Sequence, residues 1–441
     1  MRVAFATLGC RLNQFESDAL ERMAQEAGHE VVDAAAAPEV VVVNTCTITH
    51  EADADARQLV RRAARSGARV VVTGCWATAA PDEAAALPGV ALVVGNREKE
   101  RLFALLGEPA AERVHVAPVD LLRRVRVARL RPAPDPQRSR AYLKIQDGCD
   151  YRCSFCIVPR VRGRSSSVPV EEVRRQLGEL VAAGVPEVVL TGVHLGIYGR
   201  DLRPRATLAG LIAELLPRLG DARLRLGSVD PHEVDDALIG LLAGDRRLCR
   251  YLHLPVQSGD DEVLRRMRRG HTAADLRELV PRLAREVPGI GLGTDVIVGF
   301  PGESDEAFAA THALLAALPL ASLHVFSYSP RAGTDAAGLS GQVPAETRQR
   351  RCAALRALSA AKSRAFAAGQ VGQTLPAVVH RVRHRRTGRL VARADNGLTV
   401  LAEGPDARLG RSVRVEVVDA EGRDTGGPRD GGPIALGRLV D

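Results

Sequence analysis

The sequence predicts an α/β protein in three parts: an amino-terminal open parallel α/β sheet, a central partial TIM-type barrel, and a small carboxyl-terminal β-barrel. Three observations predict this. Short apolar runs alternate with helical patterns up to about residue 110 and again over 138–365, then give way to short alternating strands. A chain of 441 residues is too long for one core. Its 46% hydrophobic and 26% charged residues suit a globular enzyme and exclude long-range disorder, collagen-like repeats and a membrane protein.

In the first part, 1–110, strands are expected at Val3–Leu8, Val40–Asn44, Val70–Thr73 and Ala91–Val94, with helices at Glu16–Ala27, Asp53–Arg65 and Ala79–Ala86. Cys10, Cys46 and Cys75 each fall just past the carboxyl end of a different strand. In an open parallel sheet those ends share the edge where ligands bind, so three cysteines far apart in sequence can converge. A linker over 111–137 is marked by Pro132, Pro134 and Pro136. In the second part, 138–365, six strand candidates follow: Ala141–Gln146, Glu187–Leu190, Arg223–Leu226, Tyr251–Pro255, Gly293–Val298 and Leu323–Tyr328. Amphipathic helices such as Val170–Ala183 and Asp261–Arg269 connect them, and polar or Gly-rich clusters stand at their carboxyl ends, where a barrel builds its site. In the third part, 366–441, strands are expected at Thr374–Val382, Gly388–Ala394, Leu398–Ala402 and Ser412–Val418.

Sixty-one Lys and Arg against 53 Asp and Glu give a net charge of +8, and only Lys99, Lys144 and Lys362 are lysines. An arginine-rich composition alone is a weak pointer to a polyanionic partner. The stretch from Arg381 to Arg414 is more pointed, with nine arginines against Asp395, Glu403 and Asp406, a balance of 9 − 3 = +6. Arg383, Arg385 and Arg386 are its RNA-binding candidates; a generic solvated face is the alternative. Aromatics at 3% argue against a broad base-stacking surface. The chain opens directly into a strand-like segment, and no apolar run approaches the roughly 18 residues of a membrane span, so a cytoplasmic location without a membrane partner is expected.

Eight cysteines in a chain of this length are too few for a disulfide scaffold, and clustered thiols then read as metal or redox sites. Cys149, Cys153 and Cys156 form CxxxCxxC, three thiolates on one loop after the first barrel strand. A 4Fe-4S cluster normally takes four thiolates, so three leave one iron open. The alternative is zinc with a remote fourth ligand, His194 being the nearest histidine. Arg160, Arg162 and Arg164 are candidates for phosphate contacts, and Lys144, inside a strand, needs a partner for its charge. Cys249 and Cys352 have no spaced companions and are expected to pack.

The CxxxCxxC loop, with Phe155 before its last cysteine, resembles that of the radical S-adenosylmethionine superfamily. Leu8-Gly-Cys-Arg-Leu-Asn13, Asn44-Thr-Cys-Thr47, Thr73-Gly-Cys-Trp-Ala77, Leu143-Lys-Ile-Gln-Asp-Gly-Cys149, His253-Leu-Pro-Val-Gln-Ser-Gly259, Asp295-Val-Ile-Val-Gly-Phe-Pro-Gly-Glu303 and Phe326-Ser-Tyr-Ser-Pro-Arg331 narrow the resemblance to the methylthiotransferases, over nearly the whole chain. The branch it most resembles acts on N6-threonylcarbamoyladenosine at position 37 of tRNA, through the Gly-Cys-Arg-Leu-Asn start, Gln146-Asp-Gly-Cys and Leu190-Thr-Gly-Val-His-Leu-Gly. The resemblance implies two 4Fe-4S clusters, one on Cys149, Cys153 and Cys156 and one on Cys10, Cys46 and Cys75, with S-adenosylmethionine as cofactor and methyl donor. It further implies a terminal barrel of the TRAM type, the tRNA anticodon stem-loop as substrate, and a flavodoxin- or ferredoxin-like electron donor. Cofactor-binding candidates are the backbone around Thr191 and Gly192, the ribose partners Ser228 and Asp230, and Gln257 and Asp295 on the same mouth without an assigned contact. Gly227-Ser-Val-Asp230 departs from the branch's common Ser-Ser-Ile-Glu, which leaves the ribose contact open. The isopentenyladenosine branch, the ribosomal-protein branch and a metal-stabilised RNA-binding protein remain the alternatives.

Overall fold

A computed structural model describes residues 1–107, 113–124, 127–128, 130–133, 138–420 and 432–440. Much of the expected linker, including Pro134 and Pro136, lies outside the described residues. The amino-terminal sheet has six parallel strands in the order β2-β1-β3-β4-β5-β6: β1 Arg2–Thr7, β2 Glu30–Val31, β3 Val40–Thr45, β4 Arg69–Gly74, β5 Val90–Val94 and β6 Val114–His115. Alternate residues of the Val-rich strands β3 and β4 supply separate cores on the two sheet faces, Val41, Val43, Val70 and Val72 on one, Val40, Val42 and Val71 on the other. The first helix runs Arg11–Glu26, a full turn earlier than expected, because it begins directly after Cys10.

The central strands are β7 Ala141–Lys144, β10 Glu187–Thr191, β11 Arg223–Leu226, β12 Tyr251–Gln257, β13 Gly291–Val298 and β14 Ser322–Ser327; a short pair, β8 Gln146–Asp147 and β9 Ser166–Ser167, adjoins β7. Two parallel three-stranded sheets, β11-β10-β7 and β12-β13-β14, meet through single bridges at Leu224–Leu248 and Ser228–His253. The result is a six-stranded partial barrel around one large aliphatic core. The carboxyl-terminal strands β15 Thr374–Val379, β16 Leu390–Ala394, β17 Thr399–Glu403, β18 Ser412–Asp419 and β19 Ile434–Val440 close a barrel in the order β15-β16-β17-β19-β18. Sequence reading misses β19, since its period is interrupted by Gly437, and also the 24-residue helix Ala345–Ala368 that leads into this barrel. No described helix is long and apolar enough to cross a membrane.

The two barrels join through buried charge. Glu187 takes Arg225 Nε and Arg223 Nε, each at 2.9 Å, and these arginines donate onward to the carbonyls of Pro376, Arg393, Ala394 and Asp395 in the small barrel. Burial alone would raise the Glu187 pKa, but the two guanidiniums outweigh it and hold the carboxyl well below its usual range. Breaking such a buried pair costs about 3–5 kcal/mol, and this contribution is present above the unfolded-state pKa and fades as pH falls below it. Glu187→Gln is therefore expected to lower thermal stability most at neutral pH, with the gap to the unmodified protein narrowing below about pH 4.3; thermal unfolding followed between pH 3 and pH 7 measures this.

Candidate active site

The three amino-terminal cysteines come together at one sheet edge. Cys46 and Cys75 directly follow β3 and β4, and Cys10 follows β1 by three residues. Their loops are tight. Gly9 and Gly74 have φ of +111° and +101°, and a Cβ on Gly9 would lie 2.8 Å from Cys46 Cβ, while one on Gly74 would lie 2.3 Å from the Thr45 carbonyl oxygen. Asn13 Nδ2 ties two of the loops by donating to the carbonyls of Leu8 (2.7 Å) and Thr45 (3.0 Å). Burial, then the neighbouring Cys75 and Cys10, push the Cys46 thiol up to about 12.

The second triad, Cys149, Cys153 and Cys156, lines an open cleft of about 340 Å³ on the mouth of the partial barrel. Burial, then Cys153 and Cys149, push Cys156 up to about 12. Around this loop stands a polar ring that composition does not foretell. His194 Nδ1 lies 3.3 Å from Cys149 Sγ, and its Nε2 lies 2.6 Å from Glu233 and 3.2 Å from Asp230. Arg269 Nη1 lies 3.5 Å from Cys153 Sγ and Arg269 also pairs with Asp230. Tyr151 OH donates to Glu233 at 2.9 Å. Burial would lower the His194 pKa, but hydrogen bonds with Asp230, Cys149 and Glu233 outweigh it and push it up to about 11.

Both triads fit iron-sulfur clusters better than single ions. Among the described residues, the groups whose ligand atoms gather within 4.8 Å are His253–Asp295–His324 and His194–Asp230–Glu233, and neither contains a cysteine. A single zinc needs such a gathered set, whereas a cubane takes its thiolates at separate corners. Burial first, then neighbouring thiols, raises Cys46 and Cys156, and a bound cation would favour their thiolate forms.

The two triads are neighbours. Ile157, next to Cys156 in sequence, and Val161, one turn further on, pack on Cys75, and Asn96 Nδ2 donates to the Val161 carbonyl (2.9 Å) while lying 3.7 Å from Cys75 Sγ. Arg162 ends the short helix Val158–Arg162 and is buried. Its Nη1 meets Glu16 Oε1 at 2.7 Å and Asp147 Oδ1 at 3.2 Å, and its Nη2 meets Asn13 Oδ1 at 2.9 Å. Lys99 pairs with Glu16, and Lys144 Nζ lies 2.9 Å from Asp147 and 3.5 Å from Glu16. Lys144 thus has the partner its strand position demands, while Arg162 is spoken for within the protein instead of facing phosphate, and Arg164 pairs with Asp150 at 3.0 Å. On the other side Arg331 donates to Thr47 and Asp53, both at 2.6 Å, pinning the Cys46 loop over the barrel.

Beside Cys156 lies a cavity of about 170 Å³ lined by Ile48 and Thr49 from the sheet domain, by Phe155 to Ile157, and by Gln257, Asp295, Ile297 and Phe326 to Ser329. Of the cofactor-binding candidates, Thr191 ends β10 on the loop that leads through Gly192 to His194, and Asp230 is in the ring beside Cys149 and Cys153. Ser228 sits farther round with its hydroxyl 2.9 Å from His253 Nδ1, and Gln257 and Asp295 face the cavity. His253 and His324 hold Asp295 well below the usual carboxylate range, against the opposing effect of burial. Sequence reading missed Glu16, Asn13, Lys99, Glu233 and Arg269 because their partners lie far away in the chain. Arg383 is held by Asp406 and by the carbonyls of Gly388 and Gly404, while Arg385 and Arg386 are exposed.

Known proteins match this architecture. The radical SAM superfamily model matches residues 143–315, and the model of the uncharacterized protein family UPF0004 matches residues 2–95. Threonylcarbamoyladenosine tRNA methylthiotransferase MtaB of Bacillus subtilis is 36% identical over 95% of this chain and 94% of its own, and that of Aquifex aeolicus 37% over 86% and 93%. Ribosomal protein uS12 methylthiotransferase RimO of an Anaeromyxobacter species is 33% identical over 95% and 91%. Among solved structures, the radical S-adenosylmethionine methyltransferase TsrM of Kitasatospora setae shares the fold, with a TM-score of 0.56 and 19% identity over 74% of this chain and 72% of that one.

Glu16 is the carboxylate on which Lys99, Lys144 and Arg162 converge between the triads. Glu16→Gln would leave Lys144 and Arg162 with Asp147 as their one carboxylate and Lys99 with the Asn44 side-chain oxygen, and is expected to destabilise the protein by about 3–5 kcal/mol, read as a fall in thermal unfolding temperature; a change of under about 1 kcal/mol, as for a surface pair, would contradict the placement.

Proposed function

The chain belongs to the methylthiotransferase family of radical S-adenosylmethionine enzymes, and from that premise we propose that it adds a methylthio group to carbon 2 of N6-threonylcarbamoyladenosine at position 37 of tRNA. The observation that carries this reading is that the two cysteine triads are neighbours, Cys75 packing on Ile157 one residue past Cys156, since joining sulfur to an unreactive carbon needs a sulfur site and a radical site that address the same atom. The MtaB relatives support the tRNA substrate, as does the basic small barrel, whereas the RimO relative supports a ribosomal protein as the second reading.

In this reading Cys149, Cys153 and Cys156 hold the radical 4Fe-4S cluster, and Cys10, Cys46 and Cys75 hold a second. S-adenosylmethionine held there would supply the radical chemistry and, from a second molecule, the methyl group; the organic chemistry is the cofactor's own. The protein's part is placement. The backbone at Thr191 and Gly192 holds the methionine end beside Cys149, and Ser228, whose hydroxyl has lone pairs beyond its bond to His253, takes a ribose hydroxyl. Asp230 serves by holding His194 and Arg269 against Cys149 and Cys153, where two cations favour the anionic sulfur ligands. Phe155 and Ile157 exclude water from the cavity wall.

Arg385 and Arg386, with Arg383 bracing their loop, contact phosphates of the anticodon stem-loop, positioning the RNA without reading its bases. A flavodoxin- or ferredoxin-like donor supplies the electron, and the enzyme works in the cytoplasm on this account. The three parts divide as residues 1–110, 138–365 and 366–441, the last a TRAM-type module.

Anaerobic reconstitution is expected to load about eight irons per chain, two cubanes of four. Replacing either triad by Ala should leave about four. Nucleosides from a deletion strain should retain N6-threonylcarbamoyladenosine and lack its 2-methylthio derivative by mass spectrometry. Persistence of the methylthio nucleoside would sink the substrate reading, and about four irons in the unmodified protein would sink the second cluster.

A further inference from the structure

The cysteine loop of the partial barrel borders two spaces. Cys156 touches the cavity of Gln257 and Asp295, while Cys149, Cys153 and Cys156 together line the separate cleft of about 340 Å³. Among the described residues that line this cleft, none is a cofactor-binding candidate from the strand ends. The cleft is therefore a second approach to the three sulfurs, apart from the one the cofactor uses. Its rim is made of surface side chains from the cysteine loop and the helix after it, from Gly333-Thr334-Asp335 beyond β14, and from Leu121 and Leu122 ahead of β7.

That rim is basic with an apolar centre. Asp150 takes Arg124 Nη2 at 2.7 Å and Arg164 Nε at 3.0 Å, and Asp335 pairs with Arg268 at 2.5 Å. Arg152 and Arg160 line the cleft and are exposed, and among the described residues no carboxylate pairs with either. Five arginines against two carboxylates leave a balance of 5 − 2 = +3 around the three thiols. Beside them Leu122 is 83% exposed, more than any other large apolar side chain among the described residues, and Leu121 lines the same rim. Apolar contact ringed by charge, with arginine prominent, is the anatomy of a protein interface. RNA phosphates would gain nothing from the two leucines and would be repelled by Asp150 and Asp335, so a folded acidic protein suits this rim better than RNA.

We propose that the rim over Cys149, Cys153 and Cys156 is the docking surface for an acidic flavodoxin-type electron donor, an inference that rests on the reading of this triad as the radical cluster's ligands. Electron transfer falls off steeply with distance, so a donor must seat where the sulfurs come nearest to solvent, and the open cleft is such a place. The apolar edge of the donor's flavin meets Leu121 and Leu122, and carboxylates around it meet Arg152 and Arg160, the two cations without a carboxylate partner. One electron leaves the reduced flavin and enters the cluster; the donor is oxidised by one electron, the cluster is reduced by one, and no bond or proton passes between them. Such an encounter needs little area, under about 1,200 Å² for redox partners, and complementary charge serves it by speeding association.

The test uses the reconstituted full-length protein and an acidic bacterial flavodoxin with its flavin oxidised, so that binding is read without turnover. Binding to the unmodified protein is expected to weaken as salt rises, because exposed charges are screened. The double variant Arg152→Glu, Arg160→Glu should bind flavodoxin about tenfold or more weakly at low salt and lose most of that salt dependence. Leu122→Ser should weaken binding and leave the salt dependence as it was. With excess dithionite in place of flavodoxin, the variants should form 5'-deoxyadenosine as fast as the unmodified protein. Iron content and thermal unfolding identify a double variant that has not folded or loaded, in which case Arg160→Glu alone, outside the cysteine loop, replaces it and should show a smaller loss of the same kind. Unchanged flavodoxin affinity in folded variants overturns the docking surface, as does binding of an acidic ferredoxin to a protein that binds no flavodoxin. A loss of tRNA affinity equal to the loss of flavodoxin affinity also overturns it, since the arginines would then be a general anion surface. If the unmodified protein forms no 5'-deoxyadenosine even with dithionite, the radical reading itself falls, and the docking surface with it.

Discussion

Arg162 and Glu16 face each other across the seam between the sheet domain and the partial barrel, and the arrangement of both cysteine triads depends on their buried bridge. Arg162 ends the short helix that begins just after Cys156, and Glu16 lies on the helix that begins just after Cys10, so the bridge joins the two cysteine loops through rigid elements one or two turns long. Asn13 extends it to the Cys46 loop. Three cations, Lys99, Lys144 and Arg162, meet two carboxylates, Glu16 and Asp147, for a net charge of 3 − 2 = +1 beside Cys10 and Cys75. Buried ion pairs of this sort add little net stability relative to apolar packing. An unmatched register between the domains would strand a buried charge, which disfavours other dockings.

That docking produces the site. Arg162 on one side and Arg331 on the other hold the sheet domain over the barrel mouth, and the space left between them is the cavity walled by Phe155, Cys156 and Ile157. Cys156 of one triad lines that space, and Cys75 of the other packs on the neighbouring Ile157. The small barrel uses the same device, arginines reaching across a seam, but at the opposite, amino-terminal ends of β11 and β12, where Arg223, Arg225 and Arg250 grip its backbone and Asp395. Clamping that module away from the mouth leaves the mouth open to the substrate.

Much of this was legible in the sequence, and the division follows the range of the interactions involved. Strand positions and the open-sheet edge follow from local period, which allows Cys10, Cys46 and Cys75 to converge, and CxxxCxxC marks its own loop. What stayed illegible depended on partners far apart in the chain. Arg162 looked like one of three equivalent surface arginines in Arg160-Val-Arg-Gly-Arg164, yet it is buried, because Glu16 waits for it from a helix 146 residues earlier. Asp295 and Gln257 were placed on the mouth without a role, since the pairing of Asp295 with His324 is a property of strand register and the orphaned Gln257 oxygen is a property of packing. The strand β19 escaped because it completes the small barrel by pairing parallel to β17 and antiparallel to β18, which no hairpin signal announces.

The central claim is that two iron-sulfur clusters sit close together where the sheet domain docks on the partial barrel. Electron paramagnetic resonance of the fully reduced, reconstituted protein tests it most directly, because nearby paramagnetic clusters perturb each other's spectra. The account predicts a spectrum broadened and split by spin–spin coupling, which collapses to a simple single-cluster signal when either cysteine triad is replaced by Ala. A spectrum of the unmodified protein equal to the sum of the two single-triad spectra would contradict it, for the clusters would then be too far apart to serve one carbon.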